Sequence, residues 1–391
     1  MNFKILKKSK VSRARLGFLE TEHGVVETPC LVPVATQAVV KTLESKEVEE
    51  TKSQILIANT FHLHLKPRLR QGFGGQAGGE EIIRRAGGLH KFMNWKKPLM
   101  TDSGGYQVFS LGFGTDYGLG SKILKKEQER GEVIKESTQP QKIKINYDGV
   151  TFRSPINGDE LFIGPKESIK IQEKLGADII FTFDECTPPL ADHNYVEKSL
   201  EKTHRWAKIC LDSKKTNQAL YGIVQGSRFK DLRLESAKFI GGLDFDGFGI
   251  GGEFGNNKET MGKMIEWVVD ELPEKKPRHL LGVGYLEDMQ NIIKSGVDTF
   301  DCTVPTHYAR RGIAFTSEGK LDMKKTIYLK KNEPLDKGCV CNVCLNYKKD
   351  YICHLLKAGE ITGMKLLTFH NLYYFNTFVE EIRNKIKKGQ I

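Results

Sequence analysis

Eight short apolar runs alternate with helix-like stretches along most of this chain, and that alternation limits the fold more than any other feature. The runs fall at residues 31–34, 55–59, 98–101, 179–185, 220–226, 247–252, 279–284 and 299–304. Helix-like stretches lie at 43–52, 167–176, 196–213, 232–240, 259–272 and 286–295. Strand followed by helix, repeated, is the pattern of parallel βαβ units. Eight such units predict an α/β fold of the (β/α)8, or TIM, barrel type. A doubly wound open sheet is the alternative, but no G-x-G-x-x-G follows the first strand. The one glycine-rich piece, 247–255, lies at the sixth strand instead. With 391 residues the chain has room for a barrel over 1–312 and a small appendix over 313–391.

The ends of the predicted strands carry the chemistry. In barrels of this type the functional groups sit at the C-terminal ends of the strands. Here those ends hold Asn59, Asp102, Asp184, Gln225, Gly252 and Asp301. Asp301 stands inside the β-branched run Thr299-Phe300-Asp301-Cys302-Thr303-Val304. A carboxylate in such a run must be paired, neutralised or used, because burying it alone is costly. Three carboxylates and two amides meeting at one mouth favour a nucleophile or an acid/base over a bracing role.

Charge and cysteine content narrow the partners. Lys+Arg number 60 against 49 Asp+Glu, giving +11 and a pI near 9.1, which favours a polyanion such as RNA or DNA. No apolar run approaches the roughly 20 residues that cross a bilayer. The N-terminal MNFKILKKSK lacks the apolar core of a signal peptide, so a cytoplasmic location with no membrane association is the expectation. Three of the eight cysteines, Cys339, Cys341 and Cys344, form C-x-C-x2-C. In a reducing compartment that spacing reads as a structural zinc site needing a fourth ligand from Cys353, His354 or His370. Two segments do not fit a compact barrel: the glycine-rich 68–79 and the Lys/Glu-rich 113–147, both read as surface insertions, the latter with RNA contact as an alternative.

The pieces combine into recognisable motifs. They are Thr101-Asp102-Ser103-Gly104-Gly105-Tyr106-Gln107-Val108, Phe183-Asp184-Glu185-Cys186-Thr187-Pro188, Gly222-Ile223-Val224-Gln225-Gly226-Ser227, Phe300-Asp301-Cys302 with Pro305-Thr306, and the three cysteines with His370. From about Arg13 to the C-terminus the chain resembles the tRNA-guanine transglycosylase, or queuine tRNA-ribosyltransferase, family. The resemblance implies a barrel with a zinc-bearing subdomain and exchange of guanine in tRNA for a 7-deazaguanine base. It makes Asp301 the nucleophile on ribose C1′ and Asp102 the proton acceptor. The base would lie in the Ser103-Gly104-Gly105 turn, with Asp184 on the purine N–H edge. Gln225 and the Gly252 N–H would bind its carbonyl, and Tyr106 and Leu281 would flank its faces. The RNA-contacting loops would be Gly282, Val283, Gly284, Tyr285, Leu286, Glu287 and Asp288, with Thr306, His307, Tyr308, Ala309 and Arg310. His370 becomes the favoured fourth zinc ligand, and a homodimer is the implied assembly.

The sequence departs from the usual bacterial pattern of that family at three places: Glu253-Phe254 directly after Gly252, Tyr285 in place of Lys, and His307 in place of Arg. A relative acting on the tRNA D-arm usually carries a further C-terminal domain, and the end of this chain at Ile391 counts against it. A non-catalytic partner subunit would lack the nucleophile. A metal-dependent barrel hydrolase would need a His/Asp cluster at the strand ends, and none is evident in the sequence.

Overall fold

The computed structural model describes residues 1–66, 78–116, 143–156, 158–188, 191–252, 254 and 258–391, with backbone alone for 111–116 and 258–259. Three antiparallel strands open the chain, β1 (Asn2–Lys8), β2 (Arg15–Thr21) and β3 (Gly24–Thr28). The eight parallel strands follow: β4 (Cys30–Pro33), β5 (Leu56–Ala58), β6 (Leu99–Thr101), β10 (Ile179–Phe181), β11 (Ala219–Val224), β12 (Gly247–Ile250), β13 (Arg278–Leu280) and β14 (Thr299–Cys302). Three antiparallel strands, β7 (Ile143–Ile145), β8 (Val150–Arg153) and β9 (Glu160–Ile163), stand between β6 and β10. A last hairpin joins β15 (Ile313–Thr316) to β16 (Gly319–Asp322).

The parallel sheet runs β4-β14-β13-β12-β11-β10-β6-β5. It curls back on itself, since Val34 and Ile57 form a parallel bridge and the Ala35 N–H donates to the Ile57 carbonyl at 2.7 Å. The predicted barrel is therefore present. Its strands read as unbroken apolar runs because both faces are buried. Val32, Ile57, Ile179, Phe181, Tyr221 and Ile223 fill the interior, while Leu31, Leu56, Ile180, Leu220 and Val224 pack outward against the helices. Leu19 and Val26 of the N-terminal sheet join the interior cluster.

Several boundaries differ from the sequence expectation. The strands at 179–185 and 299–304 end early, at Phe181 and Cys302, because the chain turns to deliver Asp184 and to start the helix Val304–Arg310. Pro305 favours that helix start, since its missing N–H costs nothing in the first turn. The final helix runs Ile361–Lys388, and His370 sits inside it. Of the two insertions, 68–77 and 117–142 lie outside the described residues. The edges of these segments are ordered: Gly79–Arg85 is helical and Ile143–Ile145 is β7.

Candidate active site

Asp102 follows β6 directly, and the Ser103-Gly104-Gly105 turn lifts the chain into the helix Gly105–Asp116. Gly104 has φ +80°, which a side chain would strain. The Asp102 carboxylate accepts from the Thr60 N–H at 2.8 Å, from Gln107 Nε2 at 2.8 Å and from Asn59 Nδ2. Burial pushes its pKa up to about 6 against the pull of those donors, and the charge of Asp301 adds to the rise. Asn59, expected at the mouth in its own right, serves Asp102.

Asp184 lies beyond β10 and is 4% exposed. Ser103 Oγ donates to it at 3.1 Å and Gln225 Nε2 at 2.6 Å. Burial, with the charge of Asp102 adding to it, raises its pKa to about 6 against the pull of the Gln225 and Ser103 donors. Gln225 thus reaches Asp184 from the end of β11, while its Oε1 is buried without a hydrogen-bond partner among the described residues. Gln107 Oε1 and Ser227 Oγ are also buried and find no partner among the described residues. Unsatisfied polar atoms grouped around a cleft mark where a polar ligand would complete the bonding. Gly252 has φ +91°, and a Cβ there would meet Gln225 Oε1 at 2.7 Å, so only glycine fits. Behind this loop the buried Arg233 donates to the Gly251 carbonyl at 3.2 Å and stacks on Phe254 at 4.5 Å. Phe254 is thereby buried, while Glu253 lies outside the described residues.

Asp301 occupies β14, with 14% of its side chain exposed. Its Oδ1 accepts from the Gly282 N–H at 2.9 Å and lies 3.1 Å from His279 Nε2. Because Asp301 acts on Asp102 and Asp102 on Asp184, the three carboxylates share one electrostatic site at the C-terminal end of the barrel. Tyr106 stands at the rim 62% exposed, and Leu281 is half-buried against the interior cluster. Both segments named for RNA border this mouth: 282–288 follows β13, and 306–310 lies in the helix Val304–Arg310 that follows β14. Tyr285 is exposed, His307, Tyr308 and Arg310 are partly so, and Thr306 and Ala309 are buried.

A second cluster gathers Cys339, Cys341, Cys344 and His370, whose donor atoms all lie within 4.8 Å of one another. His370 Nδ1 is 3.9, 3.5 and 3.3 Å from the three sulfurs, and its Nε2 donates to the Phe315 carbonyl at 2.8 Å. That outer bond fixes the tautomer and leaves Nδ1 for a metal. Four soft donors with no open position fit a structural, tetrahedral site. Neither rival takes part: the Cys353 thiol donates to the Lys325 carbonyl at 3.4 Å, and His354 is exposed. His23, His90 and Asp178 also cluster, but the two imidazoles stack 3.5 Å apart at 11°. An ion lying in the plane of one ring would miss the plane of the other, so this arrangement does not hold a metal.

The family profile for "Queuine tRNA-ribosyltransferase" matches residues 9–391. A relative from Archaeoglobus fulgidus is 43% identical over 403 residues, spanning all of this chain and 97% of its own. The chain belongs to the queuine tRNA-ribosyltransferase family. Proteins named queuine tRNA-ribosyltransferase from Halothermothrix orenii and Staphylococcus aureus are 43% and 42% identical, each aligned with the whole of this chain over 95% and 94% of their own lengths. The chain is accordingly a transferase of that family. No helix among the described residues is long and apolar enough to cross a membrane. Within this queuine tRNA-ribosyltransferase fold, sequence reasoning placed Asp102, Asp184, Gln225 and Asp301 at strand ends, and they meet. It missed Asn59 and Gln107 as partners of Asp102, and it missed His279. A histidine at the start of an apolar strand reads as a core residue until its neighbour strand is in register.

Proposed function

We propose that this chain exchanges the wobble guanine of tRNA for a 7-deazaguanine base, 7-aminomethyl-7-deazaguanine or queuine, by double displacement through Asp301. The observation that carries the reading is the meeting of three carboxylates, two with pKa values near 6, at one mouth bordered by Tyr106, Tyr285 and Arg310. In the first displacement an Asp301 oxygen forms a bond to ribose C1′ while the C1′–N9 electron pair leaves with guanine. Solvent protonates that anion. Asp102, ionised above about pH 6, then takes the N9 proton of the incoming base, whose nitrogen attacks C1′ as the bond electrons return to Asp301, and returns that proton to solvent. Asp184 accepts from the purine N–H edge. The second N–H of the Gln225 amide and the Gly252 N–H are left for its carbonyl, and Tyr106 covers its exposed face. The target base leaves its stack to reach the mouth. Arg310 and Arg311 supply phosphate-pairing charge.

The cysteine cluster with His370 fits zinc, which would lock the hairpin β15–β16 to the final helix. Next to that ligand, the buried Asn371 donates to the Pro305 and Ile313 carbonyls, both at 3.0 Å. The metal region is thereby tied to the helix that follows Asp301. The resemblance also supports a homodimer, in which one subunit helps hold tRNA for the other. Base exchange into a panel of tRNAs, offering guanine, 7-aminomethyl-7-deazaguanine and queuine in turn, tests the reading. Activity on none of them would overturn it. Metal analysis of His370→Ala tests the ligand: zinc occupancy is expected to be lost.

A further inference from the structure

We infer that His279 is a positioning residue that holds the Asp301 carboxylate by one oxygen and favours its release from the covalent intermediate. The inference rests on the double-displacement reading above. His279 is fully buried on β13, with Nε2 3.1 Å from Asp301 Oδ1 and Nδ1 2.9 Å from Thr299 Oγ1. A carboxylate oxygen only accepts, so Nε2 carries the hydrogen, and Nδ1 is paired with the Thr299 hydroxyl. The Phe181 ring, 5.4 Å away, closes the other side. The register His279↔Thr299 across β13 and β14 fixes this triad of Thr299, His279 and Asp301.

The consequence is an asymmetric nucleophile. His279 and the Gly282 N–H both converge on Oδ1, whereas Oδ2 accepts no hydrogen bond among the described residues. Oδ2 is therefore the oxygen whose lone pair forms the bond to C1′. Once that ester exists, Oδ1 becomes an uncharged carbonyl and a weaker acceptor than the carboxylate oxygen it replaces. The His279 bond is thus stronger before attack and after release than in between. It biases the enzyme toward free Asp301, with the C1′–Oδ2 electron pair returning to a carboxylate already solvated by two donors.

The test uses the full-length holoenzyme, unmodified tRNA and a fixed guanine concentration, with His279→Leu and His279→Gln as variants. RNA-linked enzyme is resolved on a denaturing gel, and guanine exchange and tRNA Kd are measured alongside. The Leu variant is expected to hold about tenfold more RNA-linked enzyme relative to free, and to exchange guanine about tenfold more slowly, with tRNA Kd unchanged. Gln, which keeps an N–H near the same place, recovers most of both. A Leu variant with wild-type adduct level overturns the inference and leaves the function standing, as does a Gln variant no better than Leu. Wild-type enzyme that exchanges no base overturns both.

Discussion

Strands β10 and β14 each carry an aspartate at either end, and the two ends of the barrel treat the same side chain in opposite ways. At the N-terminal end, Asp298 accepts from Arg15 Nε at 2.8 Å, Arg15 Nη2 at 2.6 Å and the Arg278 N–H at 2.8 Å. Asp178 accepts from the Leu99 N–H at 2.9 Å and faces His23 and His90 at 2.8 and 3.2 Å. Burial works against that carboxylate, but the two imidazoles and the backbone donor pull its pKa down to about 2. At the C-terminal end, Asp102 and Asp184 receive neutral amide, hydroxyl and backbone donors, and their nearest charges are other carboxylates. Burial then wins, and both rise to about 6. One end spends its acids on holding the barrel shut. The other keeps them uncompensated, which is how a general acid and base work near neutral pH.

The contrast can be broken at four points. Asp301→Asn removes the nucleophile and is expected to cut incorporation of labelled guanine into tRNA by about three orders of magnitude or more, with tRNA still bound. Retained exchange would dissolve the distinction between the ends. Asp298→Ala, three residues earlier, leaves Arg15 buried without its carboxylate. Denaturant unfolding should show a loss of about 3–5 kcal/mol, while exchange per folded molecule is largely kept. A selective loss of activity instead would mean that Asp298 belongs to the mouth.

Acid titration sharpens the contrast, because the two ends respond with opposite sign. The raised pKa values of Asp102 and Asp184 contribute stability that is present below about pH 4 and is lost as pH rises through about 6. The lowered pKa of Asp178 contributes stability present above about pH 4 and lost as pH falls through about 2. Exchange rate should therefore fall about tenfold per unit below pH 6 while the fold persists, as a pH–rate profile beside thermal unfolding would show. A rate unchanged down to pH 4.5 would sink the assignment of Asp102 as the base. His23→Ala is the mildest change. His23 is a third exposed, so screening limits its loss to about 1 kcal/mol or less, measured by urea unfolding.

The residues legible in advance were those whose local context is unusual. Asp301 stands out as a charge in a β-branched run, and Asp102 precedes a glycine turn that no strand interior tolerates. The cysteine spacing pointed to a candidate metal site, though it left three candidates for the fourth ligand. The fold brings only His370 of the three within reach of all the sulfurs, with its Nδ1 turned toward them by the Nε2 bond to Phe315. The accessory strands were not legible: β1 to β3 and β7 to β9 lie in stretches too polar or too short to stand out.

By itself the sequence determined the number and order of the βα units, since two-sided burial demands apolar runs and each run must be followed by a helix. It also determined which side chains stand at the strand ends. Tertiary structure alone decided what each acid became. Asp298 and Asp301 share one short segment, yet one meets a guanidinium and the other a histidine, a backbone N–H and, across the mouth, another carboxylate. Those neighbours come from residues far away in the chain, brought together by barrel closure and strand register. A pKa depends on charges and donors within a few ångströms, and no local pattern encodes them.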